Sequence, residues 1–372
     1  MLALEPRLAP SPVIRTLTPL LAVILTVLAG GIMFALMGKD PLATIQVIFL
    51  DPLFNEMVAS YTRPQILVKA APLVMIALGL SYGFRANIWN IGAEGQYVIG
   101  AVAGASVGLA LYPLEAFWLL PLMVLAGIAG GIAWAMIPAV LKIYFRTNEI
   151  LVSLMLVYVA SNLLSGLVTG VLRSPAGFNF PESRSFHALA STHNKELIVG
   201  TGMHFGVFFM IALVAACYWL LKRHIFAFQV TLSGQAPRAA RFAGIRPGLM
   251  VALCLGVSGG LAGMAGILEV TGPAGKLTTT FPVGYGFTAI IVAFLGRLHP
   301  VGILLAGLLL AITYIGGELA QFMIGLPAAS IMVFQGMLLF FLLAADILIN
   351  FRVRWRGMAR AARPHPGESP VS

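Results

Sequence analysis

Ten stretches of almost unbroken apolar sequence, separated by short polar turns, limit what this chain can fold into. They lie near 17–37, 66–83, 90–111, 117–141, 149–171, 203–221, 248–270, 284–296, 300–317 and 327–349. About 20 apolar residues in a helix cross a hydrocarbon layer roughly 30 Å thick, so most of these blocks are long enough to span one. A barrel strand would alternate apolar and polar residues over about ten positions, and these blocks do not. A backbone in lipid must satisfy its own N–H and C=O groups, which leaves the helix. The expected fold is therefore an all-α membrane bundle of about ten transmembrane helices. The block at 284–296, short and bounded by Gly284 and Pro300, is expected to be a broken or re-entrant segment.

Composition supports this class. Charged residues are only 10% of the 372, too few to cover a water-exposed surface, and 59% are hydrophobic. The first block follows Arg15, is too long for a signal-peptide core and lacks a small-x-small site before Lys39, so it reads as an uncleaved anchor. Cys217 and Cys254 both fall inside blocks and read as packing residues rather than disulfide or zinc partners.

The formal charge of +10 is distributed unevenly. With an even number of spans, most Lys and Arg fall in segments on one side, including Lys222, Arg223, Arg238, Arg241, Arg246 and the tail from Arg352 to Arg363. Basic loops stay cytoplasmic, so both termini are placed there and a nucleic-acid role is set aside. The chain divides into a cytoplasmic segment 1–16, a membrane domain 17–349 and a basic, partly disordered cytoplasmic tail 350–372. Within the membrane domain, 172–202 is an outer loop and 222–247 a cytoplasmic one.

The densest polar cluster in an apolar setting runs from Arg85 to Gln96. A helix from Asn87 onward would put Asn87, Asn90 and Glu94 on one face. These residues, with Trp89 and Gln96, either hydrogen-bond neighbouring helices or line a polar path. Glu94 needs a partner, either Arg85 or a buried donor. Lys69 reads as a side chain snorkelling at the outer end of its span, and Glu269 and Asp346 as interfacial.

In the cytoplasmic loop, Pro237 suits a first helical turn, Gly244 a C-terminal cap and Pro247 a stop. The short helix between them would present Ala239, Phe242 and Ala243, either to a partner subunit or to the membrane surface. Gly127, Gly130 and Gly131, and Gly256, Gly259, Gly260, Gly263 and Gly266, read as close-packing positions. The chain has no phosphate loop: beside Gly275 and Lys276, Leu277 and Val270 occupy positions that need Ser/Thr and Gly. Neither a zinc-helix motif nor a nucleophile elbow is present. A metal site at His187, His193 and His204 is only weakly indicated.

The stretch GLSYGFRANIWNIGAEGQYVIGA resembles the signature of nucleoside-type (basic membrane lipoprotein-linked) ABC transporter permeases, within the branched-chain amino acid and simple-sugar permease superfamily. FRTNEILVSLML, GQAPRAARFAGI and GYGFTAIIVAFLGRLHPVGILLAGLL fit the same pattern, and the likeness covers roughly 65–345. The resemblance implies a bacterial inner-membrane importer with two related permeases, in which this chain is the longer partner. It also implies ATPase subunits carrying ATP and Mg, an extracytoplasmic solute-binding protein, and no cofactor or metal on this chain. Gly234 to Ile245, including Arg238 and Arg241, would correspond to the coupling helix. A nucleoside or related heterocycle is the implied solute. The alternative is a proton-coupled secondary transporter using Glu94.

Overall fold

The computed structural model describes residues 2–6, 12–198 and 200–355; side chains are described for 17–198 and 200–345. The elements are β1 (Leu2–Pro6), α1 (Pro12–Leu36), α2 (Pro41–Phe49), α3 (Asp51–Phe54), α4 (Ala59–Arg85), α5 (Ala93–Ala110), α6 (Leu119–Phe145), α7 (Glu149–Thr169), α8 (Phe205–Arg223), α9 (Ile225–Gln235), α10 (Pro237–Phe242), α11 (Pro247–Thr271), α12 (Tyr285–Leu295), α13 (Pro300–Ile324), α14 (Ala328–Asn350) and β2 (Phe351–Trp355).

Each of the ten apolar blocks coincides with a helix. Eight helices among the described residues are long and apolar enough to cross a membrane: α1, α4, α6, α7, α8, α11, α13 and α14. The other two blocks form α5, which begins with the polar Glu94 and Gln96, and the short α12. At roughly 1.5 Å per residue, the 11 residues of α12 cover only about half a bilayer. The expected broken segment is therefore a half-helix.

Among the described residues, a two-stranded antiparallel ribbon pairs Leu2 with Trp355 and Pro6 with Phe351, and Glu182 bridges to Thr278. The ribbon puts residues 2–6 beside residues 351–355. The disorder expected beyond about Arg363 lies outside the described residues, as does the side chain of Asp346.

Punctuation in the sequence sets the helix ends. Asp40 accepts the N–H groups of Leu42 and Ala43 to start α2, and Asn148 accepts that of Ile150 to start α7. Pro237, Pro247 and Pro300 stand in first turns, where a missing N–H costs nothing.

Burial separates inner helices from outer ones. In α4 and α11, 89% and 72% of the spanning window is buried, against 22% in α1 and α7. The centre is a glycine-lined trio of α5, α6 and α11. A β-carbon on Gly263 would come within 3.0 Å of the α-carbon of Gly131, and one on Gly130 within 2.5 Å of the β-carbon of Ala103. The helix backbones touch there, as the spacing predicted. Gly256 is looser, with only the Met136 methyl within reach. Cys217 and Cys254 are buried free thiols.

The segment 172–202, expected to be an outer loop, is strapped down. Ser183, Phe186 and Asn194 donate backbone N–H groups to the carbonyls of Leu277, Gly275 and Thr271. Lys276 pairs with Glu182 at 2.8 Å.

Candidate functional site

The polar motif sits at an elbow rather than along a helix. α4 stops because Asn87 takes a left-handed conformation at φ 56°. Ile88 N–H then returns to the carbonyl of Gly83 at 2.8 Å and Asn87 N–H to that of Phe84 at 3.2 Å. This pair of bonds satisfies the last carbonyls of a helix, and Asn is one of the few side chains that tolerates the turn. The chain then runs non-helically to Ala93. Asn87, Asn90 and Glu94 therefore do not share a helical face, which corrects the sequence expectation.

The elbow residues go to separate places. Asn87 is exposed and accepts the Trp89 indole N–H at 3.1 Å. Trp89 stacks on Phe84 and Phe294, with ring centroids 5.1 and 5.6 Å away. Its backbone N–H points at Glu149, which Lys142 pairs across the α6–α7 turn. Asn90 and Gln96 exchange two amide hydrogen bonds of 2.8 and 3.1 Å, and Asn90 also donates to the Ser258 hydroxyl at 2.9 Å. Both amides are almost wholly buried.

Glu94 is 2% exposed, and its partner is not Arg85. The Glu94 carboxylate accepts the N–H of Gly284 at 2.8 Å and that of Gly286 at 2.6 Å. Both donors belong to the first turn of α12, where N–H groups have no helical partner and the dipole favours negative charge. An unpartnered carboxylate at a helix centre costs roughly 2.5–3.5 kcal/mol on insertion scales. Two charge-assisted hydrogen bonds at about 1.5–3 kcal/mol each offset it. Gly286 is required for the approach, because a β-carbon there would lie 2.6 Å from the Glu94 α-carbon. The start of half-helix α12 is thus clamped to the first turn of α5 inside the protein.

A second polar line escaped the sequence reading. The Lys69 ammonium lies 3.6 Å from a carboxylate oxygen of Glu318 on α13 and donates to the Tyr285 hydroxyl at 3.2 Å. Tyr314 packs edge-on against Tyr285 and shares a 2.9 Å hydrogen bond with Thr288. The Glu318 side chain is 58% exposed, so this face of a spanning helix cannot rest in lipid tails and must meet water or another protein. Glu318 lies just past the apolar block that ends at 317, and no sequence spacing links it to Lys69. Glu269 is buried in the last turn of α11.

Residues 222–247, expected to form a cytoplasmic loop, carry two helices, α9 and α10. Ala240 is the buried residue of α10; Arg238, Ala239, Arg241 and Gly244 face outward, and Phe242 is 93% exposed. Gly244, at φ 80°, ends the turn as expected. Gly234, on α9, lies against the backbone of Arg85 and Ala86. Arg85 in turn donates to the Leu298 carbonyl, just beyond α12, at 2.8 Å. The exposed α10, the elbow and the end of α12 form one connected chain of contacts.

Of the three histidines, His187 and His193 stack with ring centroids 4.1 Å apart. Among the described residues no group of three His, Cys, Asp or Glu side chains is arranged to hold a metal. Burial holds His204 down to about 4, and burial together with His187 lowers His193.

Residues 63–343 match the family model described as the permease component of branched-chain amino acid transport systems. A glucose ABC transporter permease of Haloferax volcanii is 34% identical, over 95% of this chain and 93% of that one. A guanosine ABC transporter permease of Bacillus subtilis is 28% identical, over 90% and 94%. A nucleoside ABC transporter permease of Lactococcus lactis is 23% identical, over 90% and 92%. No solved structure matches.

Proposed function

The chain belongs to the permease-component family of branched-chain amino acid transport systems, and on that premise we propose that it forms half of the gate of an ATP-driven importer for a nucleoside or related solute. Nucleoside and guanosine permeases among its relatives support the solute class, and the glucose permease widens it to compounds bearing sugar hydroxyls. The locale is the bacterial inner membrane. The partners are a second related permease, ATPase subunits that carry ATP and Mg, and an extracytoplasmic solute-binding protein. The catalysis belongs to the ATPase.

The observation that carries this reading is the exposed α10 linked through Gly234 to the elbow at Arg85 and Ala86. A bare Phe242 beside basic Arg238 and Arg241 is an unfavourable end state in water and a good knob for a motor subunit. A push on α10 reaches the elbow directly, and through Arg85 and Glu94 it reaches both ends of α12. The permease supplies two arrangements of similar free energy, and ATP binding favours one. Asn90, Gln96 and Glu94 act as struts that keep the elbow rigid, while Trp89 and Asn87 stand at its cytoplasmic rim. The half-exposed Lys69, Tyr314 and Glu318 face the solute path and the second permease.

The test is uptake by the reconstituted complex with its binding protein and labelled uridine, guanosine or glucose. Uptake should require hydrolysable ATP, and Arg241→Ala or Gly244→Val should abolish it while the protein still inserts. Uptake that persists without ATP and collapses with a protonophore would overturn the reading in favour of a proton-coupled transporter using Glu94.

A further inference from the structure

A cavity of about 230 Å³ opens between the first turns of α4, the outer loop and the end of α11. Tyr61, Gln65, His193, Glu196, His204 and Gly272 are among the residues that line it. One wall is chemically unfinished. His204 is 2% exposed, and its Nδ1 accepts the N–H of Gly206 at 3.0 Å and the Asn194 amide at 3.1 Å. An acceptor at Nδ1 in a neutral ring puts the proton on Nε2. That buried Nε2–H has no partner among the described residues. A buried donor left unsatisfied costs about 1–3 kcal/mol, a cost that an acceptor reaching it from the cavity would relieve.

The rest of the lining defines what the acceptor belongs to. Gln65 spends its amide N–H on the Thr201 carbonyl, which leaves its oxygen as an acceptor. Glu196 uses one carboxylate oxygen on the Gly200 N–H, leaving the other. A cavity that offers a donor on one side and acceptors on the other suits a group that both donates and accepts, and the hydroxyl is that group. The carboxylate of Glu196 in the lining works against anions. The volume is below the roughly 300 Å³ at which pockets for drug-sized ligands begin, so the occupant is one small ring. Gln65 also lies one helical turn from Lys69 on the same face of α4, so the cavity stands at the mouth of the Lys69–Tyr285–Glu318 line.

We propose that this cavity is a capture subsite for the hydroxylated ring of a neutral sugar or of a nucleoside's ribose, with His204 Nε2–H and the Gln65 and Glu196 oxygens as its hydrogen-bonding groups. The proposal deepens the importer reading and rests on it for the solute's onward passage. Binding itself needs no ATP and no binding protein.

The test uses the intact permease complex in lipid nanodiscs without its binding protein. His193 is neutral at pH 7 and half-exposed in the cavity wall, so diethylpyrocarbonate modifies it at a rate that mass spectrometry reads. Methyl β-D-ribofuranoside, uridine and D-glucose, each near saturation, are expected to slow that modification at least threefold, and free uracil to leave it unchanged. In His204→Asn the helix cap is kept while the Nε2–H is lost, and the protection by sugars should disappear. Absence of protection by all three sugars means the cavity holds water only, and protection by uracil alone means that a base is recognised; either result overturns the proposal. The wild-type measurement decides even if the variant does not fold. Protection without any ATP-driven uptake would leave the subsite standing and remove the importer reading, whereas uptake without protection would do the reverse.

Discussion

Glu94 and His204 are both about 2% exposed, and both stand at a helix start, yet their surroundings differ in one respect. Each oxygen of Glu94 has a fixed backbone donor, so the residue is complete and joins α5 to α12. His204 is complete on one nitrogen only; its other nitrogen has no partner among the described residues, and the residue lines a cavity. A satisfied buried polar group fixes geometry, and an unsatisfied one waits for a ligand. The two regions should therefore respond in opposite ways to perturbation: the first by losing structure, the second by losing binding.

The largest effect is expected at Gly286. Gly286→Val forces the backbones of Glu94 and α12 apart, because flexible side chains cannot absorb the collision. A loss of about 3 kcal/mol or more should show as a lost monodisperse peak in detergent chromatography. Gly284→Ala nearby has open space but a left-handed φ of 85°, and should cost only about 1–2 kcal/mol in thermal unfolding. Equal losses at the two positions would mean that contact with Glu94 is not what Gly286 provides.

Acid should act next, and on the outer pocket rather than the clamp. His204 is held at about 4 against an ordinary 6.5 because burial disfavours its charged form. The unfolded loop binds the extra proton first. The stability from neutral His204 is therefore complete above about pH 6.5, falls as pH drops, and is gone below about 4. That window is worth about 3 kcal/mol of local stability. Hydrogen exchange of the 185–206 amides should rise across it, while α5 and α12 amides stay protected. His187, His193 and Glu196 line the same cavity, so His204→Asn is needed to assign the change; it should flatten the pH dependence.

Glu94→Gln is expected to cost about 2 kcal/mol, since a carboxamide turns an N–H toward a backbone donor and accepts from only one of Gly284 and Gly286. A variant as stable as wild type would show that the clamp adds nothing to the fold.

How legible all this was depends on range. Apolar block length and glycine spacing are local signals: the blocks marked ten helices but not the equally short α9, and the glycines marked close-packing faces without saying that α6 meets α11. Local stop signals also served: Pro237, Gly244 and Pro247 bracket α10. Asn87 was read as a helix start although it lies in the gap between the blocks at 66–83 and 90–111, and its side chain favours the left-handed turn that ends α4. The partners of Glu94 were out of reach for a different reason. They are backbone N–H groups 190 and 192 residues away, and a backbone donor has no residue signature. The same holds for the pairing of Lys69 with Glu318. His204 looked like one of three scattered loop histidines, because nothing in sequence tells a capping ring from a metal ligand.

The smallest effect separates the strap from the pocket it covers. Lys276 and Glu182 hold the outer loop to the segment after α11 at 2.8 Å, and their side chains are 40% and 25% exposed. An ion pair this wet is worth about 0.2–1 kcal/mol and weakens with salt. Lys276→Met should therefore lower the unfolding temperature by a degree or two at most, and less in high salt. The three backbone bonds from Ser183, Phe186 and Asn194 remain to hold the loop. Sugar protection of His193 should survive the substitution, since His204, Gln65 and Glu196 are anchored by other contacts. If protection disappears with the ion pair, the pocket is held by surface charge, and the contrast between a built cavity and a clamped junction fails on the cavity's side.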